Sequence, residues 1–191
     1  GVYDNGSGAV CLFEIAAHFA KHKPKHTVTL VWCGSEERGL LGSKAYVSQH
    51  ETELENIKLC VNIDMIGTIM GKCVAVSTAE QSLVDYISYL GKEVGYPVHS
   101  SQGVYSSDST PFADKGIPAV SFARLAGNSY GPIHNRWDTM KLMNEKHLGE
   151  DINFVCNFTS HMANAVVIPV PRTMPDNMKK ELDHYMGSDQ I

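Results

Sequence analysis

The feature that most constrains the fold is a repeated alternation of short β-branched apolar runs with longer segments of helical periodicity. Residues 27–33 (TVTLVWC) form a continuous β-branched run, which is typical of a strand covered on both faces. Before it, apolar residues recur at helical spacing over residues 7–23, and Pro24 follows directly. This alternation predicts an α/β fold of three layers, with helices on both faces of a mostly parallel central sheet.

The same patterns continue along the chain. They predict further strands at residues 57–64, 72–77 and 118–122 and near Val98, and further helices at residues 39–50, 80–94, 110–115 and 146–167. We expect residues 1–168 to form a single domain, because 191 residues are enough for one sizeable core. Residues 169–191 contain three prolines and then a polar amphipathic stretch. We expect this carboxy-terminal tail to be an appended helix, with a loosely attached end as the alternative.

Composition excludes several classes of function. The net charge is −5 and the isoelectric point is about 6.0, so nothing favours binding to nucleic acid or an anionic membrane. No apolar run approaches the ~20 residues of a membrane span. The five cysteines include no C-x-x-C pair, which favours reduced thiols over a disulfide framework. The opening GVYDNGSG does not resemble a natural start, so the compartment, bacterial cytoplasmic or exported, stays open, as does the oligomeric state.

Acidic residues and one histidine fall at the predicted strand ends. Glu36 and Glu37, in the stretch SEERGLLGS, follow the first predicted strand directly, and Asp64 ends the second. Asp4 precedes the first helix, and His134 follows the last strand. In an open α/β sheet, ligands bind at the carboxyl ends of the strands. Four acids and an imidazole on one rim need positive charge, and this donor set suits zinc, manganese or cobalt.

Each of these residues also has an ordinary structural explanation. A pair of glutamates is usually solvated surface, and Asp4 is suited to cap the first helix. Asp64 suits a turn at a strand end, and His134 suits a loop. Their joint occurrence at strand ends favours a metal site over these separate explanations. The chain carries no G-x-S-x-G elbow, H-E-x-x-H helix, G-x-G-x-x-G fingerprint or P-loop.

Five motifs in order resemble the M28 family of co-catalytic zinc aminopeptidases. They are YDNGSG from Tyr3, SEExGLLGS from Ser35, NxDMIG from Asn62, SDxxPF from Ser107 and HxxxDT from His134. The resemblance runs from residue 3 to about residue 166. It implies a phosphorylase/hydrolase-like zinc-peptidase architecture, two zinc ions per complete domain, and a peptide substrate with a free amino terminus.

The resemblance assigns a role to each candidate. Asp4 would bridge two zinc ions. Glu37 and His134 would bind one of these ions, and Asp64 would bind the other. Glu36 would be the general base that takes a proton from a zinc-activated water. The implied function is a metal-dependent peptidase that removes amino-terminal residues from peptides.

Supporting residues follow from the same resemblance. The peptide bond between Asp4 and Asn5 is expected to be cis. Tyr130 resembles a tyrosine that steadies the oxyanion in some members of the family. Asp138, four residues after His134, would be a hydrogen-bond partner behind the metal ligands.

This chain departs from the family pattern in two places. The family's first zinc ligand is a histidine upstream of the bridging aspartate, and neither it nor the opening strands of the sheet have a counterpart here. We therefore expect one well-formed zinc position, held by Asp4, Glu37 and His134, and little aminopeptidase activity from this chain alone. Residues 107–109 read SDS where many members have SDH, so the preferred amino-terminal residue of the substrate stays open.

Two other functions stay open for a chain of this resemblance. One is a non-catalytic M28-like binding domain, and the presence of all five candidate residues favours an enzyme over it. The other is a single-zinc acyltransferase of the glutaminyl cyclase type, which shares the fold. The intact Glu36–Glu37 pair and the DNGSG motif favour the two-metal hydrolase over this acyltransferase.

Overall fold

The computed structural model describes residues 1–125 and 133–187. Within these ranges the helices are α1 (Ser7–Lys21), α2 (Leu41–Gln49), α3 (Gln81–Glu93), α4 (Thr110–Asp114), α5 (Glu145–Asn164) and α6 (Asp176–Met186). The strands are β1 (Cys60–Ile63), β2 (Lys72–Thr78), β3 (Val98–Gln102) and β4 (Ala119–Leu125). Every predicted helix and four of the five predicted strands are found near their expected bounds. None of the described helices has the length and apolar character needed to cross a membrane.

The four strands form one mixed sheet in the order β1-β4-β2-β3. β1 pairs with β4 and β2 pairs with β3 in parallel, whereas β2 runs antiparallel to β4. The α/β prediction is confirmed, and two of the three pairings are parallel as expected. The antiparallel pairing arises because the connection from β1 to β2 contains no helix. Without a helical crossover, β2 returns in the direction opposite to β1 and β4.

The strand predicted at residues 27–33 is absent from this sheet, and that prediction was wrong. No residue of the segment belongs to a strand, and none of its side chains is fully buried. Trp32 near its end is 47% exposed. A β-branched run favours extended backbone, but a strand also needs a neighbour to receive its hydrogen bonds. None of the described strands lies beside this segment.

Strand β4 is central to the core and is buried on both faces. Val120 and Phe122 pack into the main apolar cluster with residues of α1, α3 and α5. The ring of Phe122 lies 5.2 Å from that of Phe158 in an edge-on arrangement. Ala119 faces the other way, since side chains alternate along a strand, and packs near Met178 of α6. Helices therefore cover both faces of the sheet, which confirms the three-layer arrangement.

The carboxy-terminal tail contains the expected helix, and this helix is attached to the domain. Met178 and Leu182 of α6 are buried in a small apolar cluster with Val104 and Ala113. Ahead of the helix, the Arg172 guanidinium donates to the carbonyl of Leu54 at 2.8 Å. The tail is thus held by packing and by a hydrogen bond. A domain boundary at residue 168 stays a prediction.

A buried ion pair joins the end of β4 to α5. The Arg124 guanidinium donates to both carboxylate oxygens of Asp151, at 2.8 and 2.6 Å. Asp151 also accepts the Tyr96 hydroxyl and the backbone N–H of Gly67. Removing one partner of such a pair leaves an uncompensated charge in the core, which costs about 3–5 kcal/mol. The carbonyl of Arg124 accepts the Tyr3 hydroxyl, so this network reaches the turn that carries Asp4.

Candidate metal centre

Asp4 lies in an irregular turn, Val2–Gly6, that leads into α1. The Asp138 carboxylate accepts the backbone N–H groups of Tyr3 at 2.7 Å and Asp4 at 2.8 Å. Burial raises the pKa of Asp138, but these hydrogen bonds oppose it, and the pKa is lowered overall. Asp138 therefore stays ionised and fixes the backbone on which Asp4 is carried.

The Asn5 side chain ties this turn to the end of β1. Its amide group donates to the carbonyl of Ile63 at 2.8 Å. Its oxygen accepts the backbone N–H groups of Gly8 at 2.9 Å and Met65 at 3.2 Å. The peptide bond between Asp4 and Asn5 is cis, as the family resemblance implied. These contacts place the turn against the carboxyl end of β1.

Glu36 and Glu37 lie in a loop that is closed by a tight neck. The backbone N–H of Gly42 donates to the carbonyl of Gly34 at 3.0 Å. A Cβ atom on Gly42 would come within 2.6 Å of the Gly34 backbone, so only glycine allows this approach. Ser35, directly before the pair, has a left-handed backbone with φ of 58°. The neck holds together the two ends of the loop that carries both glutamates.

His134 forms a cluster with Asp4 and Glu37. Its Nε2 atom lies 3.1 Å from Oδ2 of Asp4 and 2.9 Å from Oε1 of Glu37. Within residues 1–125 and 133–187, no other group of three or more His, Cys, Asp or Glu side chains converges this closely. The Asp4 side chain is 11% exposed, against 54% for Glu37 and 58% for His134. The cluster is therefore buried on the Asp4 side and open to solvent on the other.

Asp64 directly follows β1 and lies outside the three-residue cluster. It is buried and accepts a hydrogen bond from the Ser107 hydroxyl at 2.7 Å. Burial raises the pKa of Asp64 to about 6; the Ser107 hydrogen bond opposes this shift, and repulsion from Asp4 adds to it. Repulsion of this kind acts at short range, so Asp64 belongs to the same acidic neighbourhood as Asp4.

Glu36 belongs to this neighbourhood as well. Burial raises its pKa to about 7, and repulsion from Asp64 and Glu37 contributes. Burial and the nearby Asp4 carboxylate also raise the pKa of Glu37, while His134 lowers it. The ionised forms of these acids are thus destabilised by one another. A bound cation would remove that repulsion.

The structure adds residues that the sequence did not single out. Tyr105 is half-buried, and its pKa is raised by burial and then by Asp64, among other acidic side chains. Asp108 is close enough to raise the pKa of Glu36. The SDS motif was a signal for Ser107 and Asp108, but nothing in the local pattern indicated Tyr105. Tyr130 lies outside the described residues.

The chemistry and spacing of the three-residue cluster fit a zinc ion. Zinc binds histidine nitrogen and carboxylate oxygen at about 2.0–2.2 Å, so tetrahedral ligand atoms lie roughly 3.4 Å apart. The separations of 2.9 and 3.1 Å around His134 Nε2 are hydrogen-bonding distances, and the side chains would move apart by a few tenths of an ångström to admit the ion. Carboxylate oxygen and imidazole nitrogen are both ligand types that zinc accepts. Asp4, Glu37 and His134 are therefore suited to hold one ion.

Comparison with known proteins identifies the family of this chain. The sequence matches peptidase family M28 over residues 1–159. The chain belongs to peptidase family M28. Leucine aminopeptidase 1 of Aspergillus oryzae is 26% identical to this M28 chain over 184 residues, covering 86% of the chain and 47% of the relative. Leucine aminopeptidase 2 of Trichophyton equinum is 42% identical over 69 residues, which are 36% of the chain and 14% of that relative.

Solved structures show the same fold. A zinc aminopeptidase from Bacillus subtilis is similar to this M28 chain with a TM-score of 0.72 and 25% identity, covering 83% of the chain and 42% of that structure. A glutaminyl cyclase from an Acidobacteriales bacterium has a TM-score of 0.65 and 20% identity, covering 84% of the chain and 62% of that structure. At that identity the likeness to the cyclase concerns the fold alone. The M28 chain spans less than half the length of the Aspergillus and Bacillus aminopeptidases.

Proposed function

We propose that this M28 chain is the zinc-binding, base-carrying part of an aminopeptidase that removes amino-terminal residues from peptides. The observation that carries the proposal is the convergence of Asp4, Glu37 and His134 on one point next to Glu36. The names of the relatives, leucine aminopeptidase and zinc aminopeptidase, support the same activity.

Each residue has a separate task in this proposal. Asp4, Glu37 and His134 hold the metal ion. When bound, zinc polarises a peptide carbonyl and lowers the pKa of water towards ~7. Glu36 accepts the proton of the attacking water and then delivers it to the leaving amine, so its charge is restored after each turnover. In the metal-free protein the pKa of Glu36 is raised to about 7, mainly by burial, and a raised pKa helps a carboxylate both to take and to release a proton.

We expect one tightly bound zinc ion per chain as it stands. Asp4, Glu37 and His134 supply three ligands to one position. Asp64 is buried and accepts a hydrogen bond from Ser107. A second ion would draw on Asp4 and Asp64, and among the described residues no histidine forms a three-residue group with these two carboxylates. Two carboxylates without an imidazole suit a hydrated hard cation better than zinc. Hydrolysis by this chain alone is expected to be slow.

The direct test is calorimetric titration of metal-free protein with zinc, followed by turnover of aminoacyl anilides. Glu36→Gln is expected to keep the zinc affinity and the fold but to abolish the slow wild-type turnover, because a general base contributes about 10²–10⁴-fold. Near-full turnover by this variant would contradict the role of Glu36. Two strong zinc sites per chain would show that another group completes the second position.

A second candidate is a single-zinc acyltransferase of the glutaminyl cyclase type. The presence of one three-ligand cluster in the described residues favours it, and the fold is compatible with it. The assay that separates the two uses a peptide with an amino-terminal glutamine. Cyclisation of this peptide without hydrolysis of anilides would favour the acyltransferase. Zinc binding without either reaction would favour a non-catalytic binding domain.

A further inference from the structure

The loop that carries Glu36 and Glu37 depends on contacts outside itself. Within the loop, the N–H of Leu40 donates to the carbonyl of Glu36 at 2.8 Å. Ser35 and Leu40 both have left-handed backbone conformations, with φ of 58° and 61°. Such conformations cost about 1–3 kcal/mol each in residues other than glycine and persist only where the surroundings enforce them. Something beside the loop must therefore hold it.

Asp108 makes contacts that can hold this loop. Its Oδ1 atom accepts the Ser43 hydroxyl at 2.6 Å, and the same hydroxyl lies 3.2 Å from the carbonyl oxygen of Leu40 inside the loop. Ser43 is completely buried. On the other side of the neck, the Cys33 thiol lies beside Asp108, and its pKa is raised to about 12 by burial and then by this carboxylate. The Asp108 carboxylate thus contacts Cys33 just before the loop and Ser43 just after it.

The neighbouring residue links Asp108 to the other half of the site. The Ser107 hydroxyl donates to Asp64 at 2.7 Å and accepts from the Asn62 amide at 3.0 Å. The dipeptide Ser107–Asp108 therefore touches the end of β1 with its first side chain and the edges of the Glu36 loop with its second. Any shift of this dipeptide would move the two parts of the site relative to each other.

Electrostatic repulsion from nearby carboxylates disfavours an acidic residue at position 108. Asp108 repels Glu36 and Asp64 and contributes to the raised pKa of both. A fifth carboxylate would weaken the site unless it served another purpose. An ionised carboxylate offers two acceptor oxygens and no donor, which matches a hydroxyl and a thiol that approach from two sides.

We propose that Asp108 is a positioning residue that clamps the neck of the loop and so sets Glu36 and Glu37 against Asp4 and His134. The proposal rests on the proposed function, since only a metal-binding site requires Glu36 and Glu37 to be positioned in this way. Groups behind metal ligands commonly change metal affinity or activity by about 10–100-fold when they are removed. Asp108 acts here through the loop and lies outside the three-residue cluster.

The test compares Asp108→Ala, Asp108→Asn and Ser43→Ala with Thr159→Val. The control removes a buried hydroxyl hydrogen bond of 2.8 Å in α5, far along the chain from the loop. Zinc affinity is measured by calorimetry, and amide hydrogen exchange of residues 35–42 is measured on metal-free protein. Asp108→Ala and Ser43→Ala are expected to weaken zinc binding by about 10–100-fold and to speed exchange in the loop. Asp108→Asn keeps an acceptor for Ser43. This variant is expected to retain most of the zinc affinity and most of the protection of the loop from exchange.

Three results would overturn the clamp. Wild-type zinc affinity and loop exchange in Asp108→Ala would show that the contact positions nothing. Equal losses in Asp108→Asn and Asp108→Ala would show that charge matters and the hydrogen bond does not. Equal losses in Thr159→Val would show a general loss of stability. If the wild-type protein binds no zinc, the proposed function fails, while loop exchange in the metal-free variants still decides for or against the clamp.

Discussion

At the scale of single residues, the site is marked by unusual backbone conformations. Ser35 precedes Glu36, Met65 follows Asp64, and His134 itself is a candidate ligand; all three have φ near +60°. Residues other than glycine seldom adopt this conformation, and they do so most often at functional sites. Met65 shows how it is enforced, because its N–H donates to Asn5 and its carbonyl accepts from the N–H of Arg124. Hydrogen bonds of this kind hold the backbone in its unusual conformation, and the backbone in turn sets the direction of the side chains.

The first prediction at this scale concerns the two aspartates. Asp4→Ala is expected to weaken zinc binding far more than Asp64→Ala, since Asp4 belongs to the three-residue cluster and Asp64 does not. Calorimetric titration of each metal-free variant with zinc measures the difference. Equal losses of affinity would contradict the central place given to Asp4. Circular dichroism before the titration checks that both variants are folded.

The second prediction concerns the Tyr105 hydroxyl. Burial and the carboxylates of Asp64, Asp4 and Glu36 raise its pKa, so the hydroxyl keeps its proton. A protonated phenol can donate a hydrogen bond to a bound substrate. Tyr105→Phe is expected to lower kcat by about 10²-fold, the usual effect of losing one such donor, with zinc affinity unchanged. An unchanged kcat in steady-state assays would exclude this role.

At the scale of secondary-structure elements, the site depends on a close contact between α1 and the end of β1. A Cβ atom on Gly8 would lie 2.2 Å from the carbonyl oxygen of Ile63 and 2.5 Å from Oδ1 of Asn5. The helix can begin at Ser7 and still let Asn5 reach β1 only because Gly8 has no side chain. The apolar periodicity of α1 predicts the helix, whereas this contact determines where the helix lies.

Gly8→Ala is therefore predicted to lower both stability and zinc affinity, because the added methyl group separates the Asp4 turn from β1. Loss of stability in the range of about 1–3 kcal/mol is expected from overpacking of this kind. The matched control is Gly149→Ala in α5, where a Cβ atom would meet nothing within 4 Å. The control should raise stability by about 0.5–1 kcal/mol. Urea unfolding measures both changes, and a neutral Gly8→Ala would show that the junction is loose.

At the scale of the whole molecule, the metal-free site contains several carboxyl groups whose ionised form is disfavoured. Glu36, Asp64 and Asp108 all have a raised pKa, and burial is the largest cause for each. In the unfolded chain, carboxyl groups titrate near about 4. The folded protein therefore binds more protons than the unfolded chain between about pH 4 and pH 7. Its free energy of unfolding falls as pH rises through that window.

The resulting prediction is that metal-free protein melts at a higher temperature near pH 5.5 than near pH 7.5, roughly the window set by these shifts. Saturating zinc should reverse the trend, since metal binding requires deprotonated carboxylates and releases protons. The double variant Glu36→Gln, Asp64→Asn should flatten the pH dependence of the metal-free protein. Scanning calorimetry across this range provides the test. A metal-free melting temperature that rises with pH would contradict the raised pKa values.

The sequence by itself determined most of the elements and indicated the candidate ligands. Helices α1, α3 and α5 carry their own periodicity, so each could be predicted from the residues it contains. The order of the motifs was enough to indicate the family and to select Asp4, Glu37 and His134, because the ligand chemistry of the family requires particular residue types in a fixed order along the chain. These features are local, and short stretches of chain encode them.

The tertiary structure decided whatever depends on partners distant in the sequence. Residues 27–33 have the composition of a strand, yet pairing needs a neighbour, and no described strand supplies one. The direction of β2 followed from a connection without a helix, and the Arg124–Asp151 pair joins segments that no local pattern relates. Tyr105 and the contacts of Asp108 became visible only when the chain was folded. Long-range contacts of this kind arise from packing and electrostatics across the whole domain, which short sequence patterns do not encode.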